Sequence, residues 1–187
     1  FEFAPGQRVW LDMGRYSRDY SIVSAPNAAE LSLCVRCVTG GQASGFLKAA
    51  EIGASFTFDG PHGYFTHKPS LRPAVFVATG TGIAPFCSMA RAGVSDFMML
   101  HGAGLPEDLY YADQFKKSAA KYVPCLTEAK ELPSDAFEGQ VTAYLDKHLP
   151  CSTYDFYLCG RSDMIRDVTL LIDDRFPGSR IYSESFD

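Results

Sequence analysis

Residues 75–86 read Val-Phe-Val-Ala-Thr-Gly-Thr-Gly-Ile-Ala-Pro-Phe and constrain the fold more than any other stretch. The short apolar, β-branched run has the length and composition of a buried parallel strand. Gly80-x-Gly82-x-x-Pro85 follows at once. The glycines permit a tight turn and a close backbone approach to a ligand. Pro85 suits the first turn of a helix, where no N–H is needed. Strand, glycine turn and helix start together leave unpaired N–H groups and a positive dipole end where a pyrophosphate can sit. A glycine loop alone is a weak signal, so its context in the chain decides its meaning.

That context has two grammars. Residues 1–69 read as short strands broken by Gly/Pro turns: Arg8–Met13, Asp19–Val23, Leu31–Val38 and Ser55–Phe58, with one helix expected at Phe46–Ile52. Close strand spacing of this kind predicts a small antiparallel barrel or sandwich. Residues 74–187 alternate instead. Strands are expected at 74–79, 96–101, 122–126, 155–159 and 180–183, and helices at 84–91, 111–120, 141–148 and 162–175. Such alternation predicts a doubly wound parallel sheet. Pro69-Ser-Leu-Arg-Pro73 reads as the linker, dividing residues 1–72 from 73–187.

Bulk properties remove several function classes. A net charge of −5 with no Lys/Arg-rich run argues against nucleic acid as a partner. No apolar stretch approaches the ~18 residues of a membrane helix, and no signal peptide is visible, so a cytoplasmic location is expected. The six cysteines are scattered. Cys34-x-x-Cys37 has no second pair at zinc-site distance, and four clustered thiolates for an iron–sulfur centre are absent, so reduced thiols and no metal are expected.

The motifs resemble, in order, those of the ferredoxin–NADP reductase superfamily, in which a flavin-binding barrel precedes a pyridine-nucleotide domain. Pro5-Gly6-Gln7 resembles the early barrel turn, and Arg18-Asp19-Tyr20-Ser21 the Arg-x-Tyr-Ser flavin signature. Gly41-Gln42-Ala43-Ser44 resembles the second flavin-phosphate loop, and Gly60-Pro61-x-Gly63 the barrel's closing turn. Gly80-Thr-Gly82-Ile-Ala-Pro85, Leu158-Cys159-Gly160 with Met164, and Glu184-Ser185-Phe186 resemble the nucleotide loop, the nicotinamide-side motif and the acidic-x-aromatic terminus. Bacterial flavodoxin and oxygenase reductases look most similar. The family's barrel has two strands before the Pro-Gly-Gln turn, whereas Phe1–Ala4 alone precede it here, so an N-terminally incomplete FAD-binding barrel is expected over 1–72 and an NAD(P)-binding α/β domain over 73–187.

The resemblance implies roles for single residues. Arg18 would meet a phosphate, Tyr20 would offer a flat ring to the isoalloxazine, and Ser21 a hydroxyl near flavin N5. Val35, Arg36 and the Gly41–Ser44 loop would complete the flavin site. Thr79, Gly80, Thr81, Gly82 and Pro85 would hold the dinucleotide. Cys159 would orient the nicotinamide, Gly160 would let it approach, and Met164 would line its side. Glu184 would serve proton transfer or orientation, and Phe186 would cover the flavin. Each has a structural alternative: Arg18 a surface cation, Tyr20 a core ring, Ser44 an N-cap, Cys159 a buried thiol, and Glu184 and Phe186 a solvated tail. Tyr111 could stack on adenine or belong to the core.

NADPH carries a 2′-phosphate that needs an arginine or lysine. Family members using NADPH commonly place arginines at positions that here read Gly104 and Glu128, and a carboxylate repels phosphate while accepting ribose hydroxyls. NADH preference is therefore expected, unless Glu128 is a solvated loop residue. The expected cofactors are FAD rather than FMN, with NADH or NADPH as co-substrate. The expected partner is a redox protein: a ferredoxin, a flavodoxin or an oxygenase component. The rival expectation is a non-catalytic flavin- or nucleotide-binding subunit that senses redox state or relays electrons within a complex.

Overall fold

The computed structural model describes residues 1–186. The first half forms a three-stranded antiparallel sheet of β1 (Arg8–Asp12), β2 (Ser17–Ser21) and β3 (Thr57–His62), in the order β2-β1-β3. Along β1 the side chains alternate: Val9 and Leu11 point inward, while Trp10 and Asp12 face out, as a half-buried strand requires. Helix α1 (Gln42–Ala49) packs Ala43 against Leu11 and Met13. This is the expected barrel-like half, with two corrections.

Leu31–Val38 is not a strand. Its ladder contact is a single antiparallel bridge between Ile22 and Leu33, after which residues 34–38 run as irregular chain. Leu33 and Cys34 pack half-buried against neighbouring clusters, whereas Cys37 and Val38 are exposed, and no neighbouring strand pairs with the run beyond that bridge. Helix α1 also starts four residues before the expected Phe46, so Gln42, Ala43 and Ser44 form its first turn and not a preceding loop. Gly45 lies inside the helix with open space where a Cβ would be, so it weakens the pattern without breaking the helix.

The second half is a six-stranded parallel sheet. Its strands are β4 (Ala74–Thr79), β5 (Phe97–Ala103), β6 (Lys121–Leu126), β7 (Phe137–Glu138), β8 (Asp155–Gly160) and β9 (Arg180–Ser185). Their order is β7-β6-β5-β4-β8-β9. The helices are α2 (Ala84–Arg91), α3 (Ala112–Ser118), α4 (Val141–His148) and α5 (Ser162–Arg175). The two-residue β7 had no sequence signal, and α3 is shorter than the expected 111–120 at both ends: Tyr111 takes a left-handed conformation (φ 60°) at its N-cap, and Ala119 is already extended at its C-cap. No helix among the described residues is long and apolar enough to cross a membrane.

Strand alternation divides the apolar residues between the sheet's two faces. Val75, Val77, Leu100 and Leu158 pack under α4 and α5 through Leu145, Val168 and Ile172. Phe76, Ala78, Met99 and Tyr157 pack under α2 and α3 through Phe86, Met89 and Phe115. Phe76 stacks on Phe86 at 4.7 Å and on Phe97 at 4.5 Å. Val23 and Phe65 from the first half join this second cluster, so one core crosses the boundary between the halves. The connector is fastened too: Lys68 donates its backbone N–H to Tyr157 Oη (3.0 Å), and Arg72 pairs with the buried Asp155 (3.5 Å).

Candidate functional site

Chain order reverses at β4, which has β5 on one side and β8 on the other. In a doubly wound sheet the crevice at the carboxyl ends of such strands is the ligand position. There the structure holds a cavity of about 870 Å³, within the range of small-molecule and cofactor sites. Both halves line it.

From the first half come Arg18, Tyr20 and Ser21 on the edge strand β2, Val35 and Arg36 on the irregular segment, and Gly41 to Ser44 opening α1. No side chain caps α1, so its first N–H groups remain for an anion at the cavity wall. The Ser44 hydroxyl is already used: it accepts the Val38 N–H (3.2 Å) and faces the Gly41 carbonyl at 3.4 Å. It therefore shapes the turn into α1 in place of the expected N-cap. Tyr20 is half-buried against the Leu11–Ala43 cluster, and burial pushes its hydroxyl pKa up despite the opposing Arg18 charge.

From the second half come Thr79, Gly80, Thr81, Glu128, Gly160, Met164 and Phe186. Gly80 adopts φ 55° with open space beyond its Cα, which allows a close ligand approach. Gly82 lies beneath the wall. A Cβ there would stand 2.3 Å from the Cys159 carbonyl oxygen, so this glycine lets the turn pack on β8. Pro85 is buried in the first turn of α2. Neither residue lines the cavity.

Cys159 and Glu184 also sit behind the wall. They are direct neighbours in the β8–β9 ladder. The Cys159 thiol is fully buried, and burial followed by the Glu184 charge pushes its pKa far up. Glu184 receives Arg8 on Oε1 and lies 3.4 Å from Ser21 Oγ through Oε2. Burial raises its carboxyl above the usual range, against the lowering influence of Arg8 and Ser21. Ser21, Cys159 and Glu184 thus meet where the halves join. The Phe186 N–H donates to the Gly160 carbonyl at 2.8 Å, which fixes the ring at the cavity edge.

Tyr111 resolves to the core: its ring packs with Cys34 and Cys87, with the Arg91 guanidinium 5.4 Å from the ring centre. Its neighbour Tyr110 lines the cavity instead, beside Asp108. Sequence reasoning missed Tyr110, Arg161 and Asp163 as wall residues, although the Tyr-Tyr pair and the position after Cys159-Gly160 could have flagged them.

Residues 1–67 match the oxidoreductase FAD-binding domain, and residues 76–169 the oxidoreductase NAD-binding domain. The chain belongs to the ferredoxin–NADP reductase superfamily. Ferredoxin–NADP reductase B of Sorangium cellulosum is 41% identical over 130 residues, covering 64% of this chain and 53% of that protein. The toluate 1,2-dioxygenase electron transfer component of Pseudomonas putida is 32% identical over 186 residues, covering 91% of this chain and 54% of that protein. The chain thus spans about half the length of these curated relatives. A ferredoxin NADP+ reductase from Neisseria gonorrhoeae with bound FAD and NADP superposes with a TM-score of 0.87 at 23% identity, over 99% of this chain and 87% of that one. Like other superfamily members, this chain joins an FAD-binding half to an NAD-binding half. Its uncapped α1 start and open Gly80 fit the phosphate-rich cofactors of those domains.

Proposed function

We propose that this chain is the flavin- and nicotinamide-binding part of a reductase that passes electrons from NAD(P)H to a redox protein, with residues 1–72 serving the flavin and 73–187 the nucleotide. The supporting observation is the single cavity lined by Tyr20 and Ser21 from one half and by Thr79, Gly80 and Gly160 from the other. Flavin supplies the chemistry of accepting a hydride from reduced nicotinamide and releasing electrons singly. The protein's part is alignment. Arg18 offers charge and the α1 N-terminus offers N–H groups to the flavin phosphates, while Tyr20 and Phe186 bring flat rings to the cavity. Thr79, Gly80 and Thr81 receive the dinucleotide backbone, and Gly160 keeps the nicotinamide end clear. Ser21 on the cavity wall, with Cys159 and Glu184 behind it, brings a hydroxyl, a thiol and a carboxylate together where the halves join.

The nucleotide is NADH on this proposal. The Glu128 carboxylate lines the cavity against Gly104, 3.3–3.4 Å from where a Cβ of residue 104 would be, and its charge would oppose a 2′-phosphate bound there. The acceptor is a ferredoxin, a flavodoxin or an oxygenase component. This rests on relatives that are electron transfer components of oxygenase systems, such as the toluate 1,2-dioxygenase component.

The visible spectrum tests the proposal. The purified protein, alone or after addition of FAD, should show oxidised-flavin absorbance, and anaerobic NADH should bleach it faster than NADPH. A protein that never takes up flavin is no reductase, and faster bleaching by NADPH overturns the nucleotide assignment. Flavin that binds but is bleached by neither nucleotide would favour the non-catalytic subunit.

A further inference from the structure

Arg8 and Ser21 are direct cross-strand partners in the β1–β2 ladder, so their side chains leave the same face side by side. Together they make a fork. Arg8 Nη1 takes Glu184 Oε1 and Ser21 Oγ faces Oε2, across 176 residues of sequence in the first case. The carboxylate so held belongs to the last strand of the other half, and its side chain is only 11% exposed. The space for this pairing comes from Gly63 (φ 88°): a Cβ there would lie 3.2 Å from Arg8 Nη1 and 3.5 Å from Glu184 Oε1. Gln7 helps fix that turn by donating Nε2–H to the Gly63 carbonyl (3.1 Å).

We propose that Arg8 is the positioning residue for Glu184: it fixes the carboxylate beside Ser21 and Cys159 and sets the pH at which that carboxylate takes up a proton. The proposal deepens the reductase reading and rests on it for the link to turnover. The groups facing Glu184 are Arg8 from β1, Asp19 and Ser21 from β2, and Cys159 from β8. Asp19 is Arg8's second partner (Nε to Oδ1, 3.4 Å) and opposes it by raising the Glu184 carboxyl. A carboxylate with this little solvent depends on a neighbouring cation to stay charged. Arg8 is the cation in contact with it.

The test follows the Glu184 carboxyl directly, by carbon NMR of protein labelled at glutamate, with its signal assigned by its loss in Glu184→Gln. In Arg8→Gln the carboxyl should titrate at higher pH than in the native protein, and Arg8→Lys, which keeps the charge, should restore much of the native value. Anaerobic rapid mixing with NADH gives the second readout: the pH profile of flavin reduction should move in the same direction in Arg8→Gln and return in Arg8→Lys. An unmoved carboxyl titration in Arg8→Gln overturns the proposal. So does a moved titration with an unmoved rate profile, because Arg8 would then be a structural partner alone. If the protein takes up no flavin, the reductase reading fails separately, and the carboxyl titration still decides whether Arg8 governs Glu184.

Discussion

Gly160, at the end of β8, lies so close to Thr79, at the end of β4, that a Cβ on residue 160 would stand 2.3 Å from Thr79 Oγ1 and 2.7 Å from its carbonyl oxygen. Gly160 also has φ 137°, which side chains rarely adopt. Gly160→Ala should therefore cost about 3 kcal/mol in stability through strain and overpacking. It should also displace Thr79, whose hydroxyl accepts the Arg161 N–H (3.1 Å), and weaken nucleotide binding. Denaturant unfolding and nucleotide titration check both outcomes.

Nucleotide preference should follow the charge at the cavity rim. Glu128→Arg replaces a carboxylate with a guanidinium that can meet a 2′-phosphate. The ratio of kcat/KM for NADPH to that for NADH should rise on the order of tenfold, or ~1.4 kcal/mol. An unchanged ratio would place Glu128 away from the ribose.

Ser44 should matter to flavin retention through the backbone. Ser44→Ala removes the acceptor for the Val38 N–H and the partner of the Gly41 carbonyl. It should destabilise the turn into α1 by about 1 kcal/mol. Flavin affinity, measured by titrating the flavin-free protein, should fall while the NADH preference stays as it is.

The thiols should separate into reactivity classes under alkylation at neutral pH. Cys37 and Cys151 are exposed and should be modified first. Cys125, pushed up to about 12 by burial, and Cys87 and Cys159, raised mainly by the same cause, should react only on unfolding. Mass spectrometry of timed samples reads the order, and early modification of Cys159 would mean that its site opens in solution.

His101 predicts acid sensitivity. It is fully buried on β5, with Nδ1 3.1 Å from Tyr122 Oη and no partner on Nε2 among the described residues. Burial lowers its pKa to about 4. The unfolded chain takes up a proton near pH 6.5 that the folded chain refuses until about pH 4, so stability is lost as pH falls through that window. The loss should total roughly 3 kcal/mol, and His101→Leu should flatten it in denaturation curves recorded at several pH values.

The second half was readable because its signals are local. Runs such as Val75–Ala78 and Phe156–Cys159 are fully buried strands whose composition declares them. The glycine turn and Pro85 then mark where α2 begins. The first half was less readable because its order depends on partners elsewhere in the chain. Leu31–Val38 has the composition of a strand but finds one bridge, and α1 begins among residues whose flanking glycines imitate a loop. At the site, the wall residues Arg18, Tyr20, Ser21, Thr79 and Gly80 were identifiable from short motifs. The grip of Arg8 on Glu184 and the packing of Tyr111 against Cys34 were not, since nothing local announces a pairing between distant segments.

The fastened connector has its own consequence. Phe65 packs within the shared core, Lys68 is tied to Tyr157, and Arg72 to Asp155, so the passage from one half to the other is anchored at three points on the second half. Any rotation of one half against the other that widened the crevice would have to break these contacts first.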